Sequence, residues 1–557
     1  MQFRWNHTQG APDYDRETGF GFVTGAVYTA DAALHIPETN SGFLPLWWYA
    51  GTPISDIQQS EYGLQATAAE ALRTEDAADR RLPVWLRIQV PGEGVYRAEI
   101  TVTGTDGGEV LVFTGRRRLA WRGVLPAGAQ QIVTAYCDVF PIVPRGQADA
   151  VDSDAVNIAV VGGALSAVAL AEAPHTRRIW VCGDSTVTDQ TGELPYAPGT
   201  SYAGWGQMLP AYLPEVCITN HAHSGLTTES FLSEGHWAIV KPRLRAGDIC
   251  LFQFGHNDQK LAHLQARGGY TDRLRTYIKE TRTARAVPVL ITPLARNSWR
   301  DPTHYNDFLA DFADAVLDLG KEEAVPVLDL HAYAMQLIRQ EGLETAKRWF
   351  YPGDYTHTND FGAYRMAGFV AGALGKAVGL PVADVPAWTP APPFAPLTPP
   401  KDCALPAPDT DPFSDYDATR PQEVLTRAEA LELAIKALKL FPINVYNDLY
   451  ADIVGHETYA GTVQCAAQND LIPAAWIADG RLYPQRTVTA ADFLAVLMPG
   501  AAGRRPLAAP SPLPDSVPAY ARFAAGQAVA EQLISADSLN DPITRSDAAA
   551  LCRRLHI

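Results

Sequence analysis

Four short segments of this chain carry residue types able to run acyl-transfer chemistry. Gly183-Asp184-Ser185 closes an apolar, strand-like run. The glycine permits a tight turn that lifts a serine hydroxyl out of a sheet, and a helix start behind it would stabilise negative charge. Taken alone, the tripeptide is equally a strand end capped by Asp and Ser. Gly255-His256-Asn257-Asp258 ends a second such run. A neutral Asn amide there can donate to an oxyanion, although Asn and Asp are also ordinary turn formers. In Asp354-Tyr355-Thr356-His357 an aspartate stands three residues ahead of a histidine. A serine hydroxyl needs a base, and an imidazole oriented by a carboxylate is the usual one. Asn220-His221-Ala222-His223-Ser224-Gly225 follows a third strand-like run, and Gly225 can expose a backbone N–H as a second oxyanion donor. His221 and His223 resemble half a metal site, but no third ligand follows at helical spacing, so neither metal nor cofactor is expected.

Strands and helices in alternation must hold these segments. RRIWVCGDS, VCITN, DICLFQFGHND (248–258), AVPVLITPLA (286–295) and EAVPVLDL (323–330) read as buried strands. YTDRLRTYIKETRTA (270–284), NDFLADFADAVLDLGKEE (306–323) and FGAYRMAGFVAGALGKAVG (361–379) read as helices. Alternation of this kind predicts a parallel sheet covered on both faces, with ligands bound beyond the carboxyl ends of its strands.

The flanking regions differ in texture. Up to about residue 172, short β-rich runs such as VWLRIQV (84–90), VYRAEITVTG (95–104), EVLVFTG (109–115), QQIVTAYCDV (130–139) and AVNIAVVGG (155–163) predict a β-sandwich. Residues 381–412 hold 11 prolines and should form an extended connector. Beyond it, LTRAEALELAIKALKL (425–440), VTAADFLAVLM (488–498) and ITRSDAAALCRRL (543–555) each start on a Thr with an acidic residue three positions later. That is a capping-box signature, and Thr426, Thr489 and Thr544 are spaced 63 and 55 apart, which suggests three related helical units. The expected division is a sandwich over 1–172, an α/β/α catalytic domain over 173–380, a proline-rich linker over 381–420 and a helical repeat module over 421–557.

Composition narrows the function. The 557 residues carry a formal charge of −17, with no dense basic run beyond Arg116–Arg118, so a nucleic-acid partner is not expected. No run reaches the ~18 apolar residues of a membrane span, and the first residues, MQFRWNHTQG, lack the apolar core of a secretory signal. Seven scattered cysteines, with Cys182 and Cys250 inside apolar runs, fit buried reduced thiols. A cytoplasmic location is therefore expected, with the cell surface as the alternative if the chain is exported.

The order Ser, Gly, Asn, Asp/His, each at a strand end, sets these signals apart from chance turns. GDSTV, YAGWGQMLP (202–210), NHAHSG, FQFGHNDQK (252–260), VLITPLAR (289–296) and DYTHTNDFGAY (354–364) resemble the conserved blocks of the SGNH (GDSL) hydrolases, and more narrowly their rhamnogalacturonan acetylesterase branch, over about residues 177–379. The resemblance implies a three-layer α/β/α fold and sugar O-deacetylation through a serine ester. It implies Ser185 as nucleophile, His357 as general base and Asp354 as the carboxylate that orients it. The oxyanion hole would be the N–H groups of Ser185 and Gly225 with the Asn257 side chain. Leu226-Thr227 stands where this branch usually has Arg-Ser, a departure expected to alter which sugar is accepted. The stretch after Asn297 also looks shortened.

The implied substrates are acetylated plant oligo- or polysaccharides, pectic fragments being favoured over xylan. A lipid esterase or thioesterase of the same superfamily and a non-catalytic wall-binding protein are the competing readings. Trp205, His223 and Asn297 look like sugar-binding chemistry, and Arg296 and Arg300 are the best-placed cations for a uronate. The early GFGFV (19–23) resembles a galactose-binding-like sandwich, for which shaping one wall of the cleft is an equally good role. The three helical units resemble S-layer homology repeats, most fully at Thr426-Arg427-Ala428-Glu429. That likeness implies wall-polymer binding, against which packing on the esterase or self-association is favoured.

Overall fold

A computed structural model describes residues 2–15, 17–23, 27–28, 34–35, 57–66, 83–143, 149–150, 152–190, 196, 198–261, 263–301, 304–390, 411, 413–438, 440, 449–453, 457–502 and 506–555. Most of the proline-rich connector and Cys403 lie outside these residues, as does the Arg300 side chain. The chain divides into two compact units. One comprises 1–258, 263–297 and 309–397, and the other 259–262, 298–308 and 398–557.

Among its described residues the first unit holds two larger antiparallel sheets, one parallel sheet and a short antiparallel pair, Val27–Tyr28 with Leu34–His35. One antiparallel sheet runs in the order Gln130–Val139, Gly94–Thr103, Ala164–Glu172, Gly63–Ala66, Ile57–Ser60, with Gln2–Asn6 also paired to Ala164–Glu172. The other runs Arg118–Val124, Glu109–Thr114, Ala155–Val161, Val84–Gln89, Phe20–Phe22. Alternation explains their packing. Along Gln130–Val139, Val133, Ala135, Cys137 and Val139 turn inward, while Ile132 is exposed. They meet Leu86, Ile88, Val112 and Ile158 of the facing sheet in one core, as a sandwich requires.

The parallel sheet runs in the order Cys217–Asn220, Arg178–Gly183, Ile249–Gln253, Val287–Ile291, Val327–Leu328. Both faces are buried. Trp180, Cys182, Cys250, Phe252 and Leu290 share a core with Leu274, Tyr277 and Ile278 of the Thr271–Thr283 helix and with Phe312, Val316 and Leu319 of the Ala310–Glu322 helix. The alternate set Ile179, Val181, Leu251 and Val289 is equally buried. The chain leaves Arg178–Gly183 to pair on one side, then crosses back to pair on the other. This reversal opens a crevice at the carboxyl end of that strand. A helix over Leu330–Ala346, which the sequence reading passed over, is broken at Gly342 (φ +78°). Asp360–Val378 closes the unit, capped by the Asn359 side chain on the Gly362 N–H and ended by Gly379 in the left-handed region.

In the second unit all three Thr-led caps form, two of them as reciprocal capping boxes. Thr426 pairs reciprocally with Glu429, Thr489 with Asp492, and Thr544 bonds Asp547. The helices that follow are Arg427–Ala437, Ala490–Ala502 and Arg545–Leu555. The segments ahead of them bridge one another pairwise, Val424 to Thr544, Thr426 to Thr487 and Thr489 to Pro542, so the three close on themselves. They share one core that includes Leu431, Leu494 and Leu551. Cys137, Cys182, Cys217, Cys250, Cys465 and Cys552 are buried free thiols, and no helix among the described residues is long and apolar enough to cross a membrane.

Candidate active site

Ser185 follows the Arg178–Gly183 strand at the mouth of the crevice. The expected helix start behind it is absent. A single turn takes its place, held by Asp184, whose carboxylate accepts from the N–H and hydroxyl of Thr186 (2.9 and 2.7 Å). The turn is pressed from outside by Gly204 and Gly206: a Cβ on either would fall 2.3 Å from Val187 C or 2.6 Å from Val187 O. Trp205 N–H donates to Thr186 O. The GWG of the second sequence block is thus needed for close backbone approach.

Three side chains from distant parts of the chain meet here. Ser185 Oγ lies 2.7 Å from His357 Nε2, and His357 Nδ1 lies 2.7 Å from Asp354 Oδ2. The Asp354 Oδ1 atom accepts from the backbone N–H groups of Thr356 (2.6 Å) and His357 (2.9 Å). Burial would raise the pKa of Asp354, but the adjacent imidazole and these two N–H groups outweigh it and hold the carboxyl below its ordinary range. The arrangement suits a neutral imidazole with its proton on Nδ1, which leaves Nε2 to accept from the serine hydroxyl. Tyr202 lies edge-on to the His357 ring at 5.7 Å and stacks on Tyr351 at 3.6 Å.

The remaining loops are tied to this centre by hydrogen bonds. Gly225 sits at φ +87° with no atom where a Cβ would project, so backbone conformation and not space requires glycine there. Asn257 Nδ2 donates to Leu226 O at 2.9 Å, which joins the Asn257 loop to the Gly225 loop. His223 N–H donates to Gly183 O, and Gln190 Nε2 to Ser185 O at 2.8 Å. Arg296 stands beside the base loop, since the next residue, Asn297, donates its N–H to Tyr355 O. At 3% exposure, however, Arg296 is not the surface cation that an incoming uronate would meet.

Other expectations about the cleft are corrected. Leu226 is 2% exposed and packs with Phe231 and Trp237 in the core, and Thr227 bonds Ser230, so neither faces a substrate. Trp205 is buried with its indole N–H on Gln253 Oε1, and Asn297 is buried on Leu343 O. Of the three residues read as sugar-binding, His223 alone is half-exposed. His221 is buried against Trp180, and burial drives its pKa well below the ordinary value. Among the described residues no cluster could hold a metal ion.

Sequence reasoning missed the supports beneath the site. Asp184 Oδ2 faces His256 Nδ1 at 3.2 Å, and His256 Nε2 meets Leu294 O at 2.9 Å, both residues being buried. This pair joins the ends of two neighbouring strands. Asp258 accepts from Thr228 N–H, Thr228 hydroxyl and Gly255 N–H, and burial pushes its carboxyl up to about 6. Asp184, His256 and Asp258 stand inside the quoted motifs, but only the fold shows that Asp184 meets His256 and that Asp258 meets Thr228, residues of separate loops.

A profile of the GDSL-like lipase/acylhydrolase family matches residues 181–365. The chain is 33% identical over 222 residues to the rhamnogalacturonan acetylesterase RhgT of Bacillus subtilis strain 168, covering 37% of this chain and 93% of that one. It is 27% identical over 239 residues to a rhamnogalacturonan acetylesterase of Emericella nidulans, covering 39% and 90%. The crystal structure of protein YxiM from Bacillus subtilis aligns with 68% of this chain and 99% of that one, at 20% identity and a TM-score of 0.36. From its matching blocks and this similarity, the chain belongs to the GDSL-like lipase/acylhydrolase family and is a serine esterase.

Proposed function

We propose that this esterase removes O-acetyl groups from plant polysaccharide fragments, rhamnogalacturonan-type pectic ones in particular, with Ser185 as nucleophile. The observation that carries the reading is the continuous relay from Ser185 Oγ through His357 to Asp354 at the sheet's switch point. In this reading His357 Nε2 takes the serine proton as Oγ attacks the acetyl carbonyl. The oxygen that becomes negative would accept from the N–H groups of Ser185 and Gly225 and from the second N–H of the Asn257 amide, whose first is held by Leu226 O. His357 then passes its proton to the departing sugar hydroxyl, which leaves acetyl-Ser185. Water, deprotonated by the same imidazole, attacks the ester and releases acetate. Asp354 stays ionised throughout and stabilises the imidazolium.

The pectic substrate is favoured by the 33% identity to a rhamnogalacturonan acetylesterase across nearly all of that relative's length. Acetate release from acetylated pectins, xylans and their oligomers, measured against Ser185→Ala, tests both parts. Release from the pectic panel, lost in Ser185→Ala, is expected. Faster turnover of xylo-oligosaccharides would overturn the pectin assignment and leave the acetylesterase standing, and preference for p-nitrophenyl octanoate over the acetate would point to a lipid esterase.

A further inference from the structure

The Arg116–Arg118 triplet, the one short basic run of an acidic chain, turns between the sandwich strands Glu109–Thr114 and Arg118–Val124 and reaches into the hydrolase. Arg117 is fully buried and sits at φ +57°, in the left-handed region that a residue with a side chain occupies at some strain. Its guanidinium divides its donors among three segments. Nε donates to Gln190 O (3.2 Å), Nη1 to Asp360 Oδ1 (2.6 Å) and Nη2 to Tyr202 O. Each of the three leads to the relay. Gln190 holds Ser185 O through its amide. Tyr202 flanks the His357 ring. Asp360 opens the helix three residues beyond His357 and also accepts from Tyr196 Oη and Gly199 N–H. The two flanking arginines hold the strand that leads to Gly225, Arg118 through Ile218 O and Arg116 through Asn220 O (2.7 Å), and both approach Asp189 next to Gln190.

A buried ion pair is a poor way to gain stability, because desolvation offsets most of the attraction. Three directed bonds from one planar fork are instead a way to fix the relative placement of three segments. We propose that Arg117 is a positioning residue of the esterase, which sets Ser185 against His357 from the sandwich, so that the sandwich is part of the catalytic scaffold and not an appended sugar-binding module. The inference rests on the serine-relay reading but not on the choice of sugar.

The experiment compares Arg117→Lys, Arg117→Met and Gln190→Ala with the surface control Arg97→Met, all in the full-length chain. Active sites are titrated with an organophosphate, and kcat and KM are then measured on p-nitrophenyl acetate. Misplacement of about 1 Å slows turnover by roughly 10²-fold, so a loss of that order in kcat per titrated site, with KM little changed, is expected of both Arg117 variants. Lysine keeps the charge but not the fork and should not rescue. Gln190→Ala should lose about 10-fold, as a single link in the same chain, and Arg97→Met nothing. A merely structural role would lower the melting temperature and leave turnover per titrated site unchanged, and that result overturns the inference. Should the Arg117 variants fail to fold, Gln190→Ala decides: wild-type kcat there refutes it. Ser185→Ala, assayed alongside, separates the two readings, since its continued activity would sink the serine relay itself, whereas a dead Ser185→Ala beside an unaffected Arg117→Lys sinks only the positioning role.

Discussion

Replacing Asp354 by asparagine should inactivate the enzyme through a single proton in the wrong place. Asp354 Oδ1 accepts two backbone N–H groups, from Thr356 and His357, at 2.6 and 2.9 Å. An amide nitrogen cannot stand there, because donor would face donor, so the Asn oxygen must take that position and its NH2 must take the place of Oδ2. That group then faces His357 Nδ1 at the 2.7 Å of the original contact. Only an unprotonated Nδ1 can accept from it. The imidazole proton is thereby forced onto Nε2, which lies 2.7 Å from Ser185 Oγ and can no longer take the serine proton. The same inversion in a serine protease triad lowers turnover by about 10⁴, equivalent to about 5.4 kcal/mol of barrier. Because the Asp354 carboxyl titrates below its ordinary range, the wild-type comparison near neutral pH is free of its protonation. The assay is kcat on p-nitrophenyl acetate with circular dichroism as the fold control. A folded Asp354→Asn retaining more than about a tenth of wild-type turnover would refute the tautomer argument.

Other substitutions probe different links. Ser185→Ala and His357→Ala should each abolish acetate release, and Asn257→Ala should slow turnover by about 10²–10³, the effect of one oxyanion donor, read from steady-state kinetics. Overnight chelation with EDTA should leave the rate unchanged; a loss restored by added metal would contradict the metal-free mechanism. Asp184→Asn should cost about 3 kcal/mol in urea unfolding near pH 7, since it breaks a buried pair with His256. The imidazole and the Thr186 donors outweigh burial and depress the Asp184 pKa in the folded state. Its contribution is therefore present above the unfolded value of about 3.9 and lost as pH falls through the folded one, so the gap to wild type should narrow as the pH is taken below that unfolded value. Thr426→Ala removes a capping box and should destabilise the C-terminal unit by about 1 kcal/mol, seen as an earlier unfolding transition.

The sequence by itself determined whatever depends on local periodicity and on residue type. Gln130–Val139 alternates apolar and polar residues, so its strand and inward face could be read directly, and so could the five strands of the parallel sheet and three of the helices that cover it, but not the helix Leu330–Ala346 or the turn behind Ser185. The three Thr-led caps were legible because a capping box closes within four residues. Asp354 and His357 were legible for the same reason. Elements whose pattern answers to distant partners were not. The strand Arg118–Val124 opens on an arginine that looks out of place in a buried position until it is seen reaching Ile218 and Asp138. Leu226, Trp205 and Asn297 looked like cleft residues because sequence shows proximity to a motif but not direction, and the fold turns all three inward. Only the tertiary structure decided that Asp184 meets His256, that Asn257 meets Leu226, and that Arg117 reaches Asp360 from 243 residues away. Such contacts join segments whose separation along the chain carries no periodic signal, and a buried charge is legible only through the partner that makes its burial tolerable.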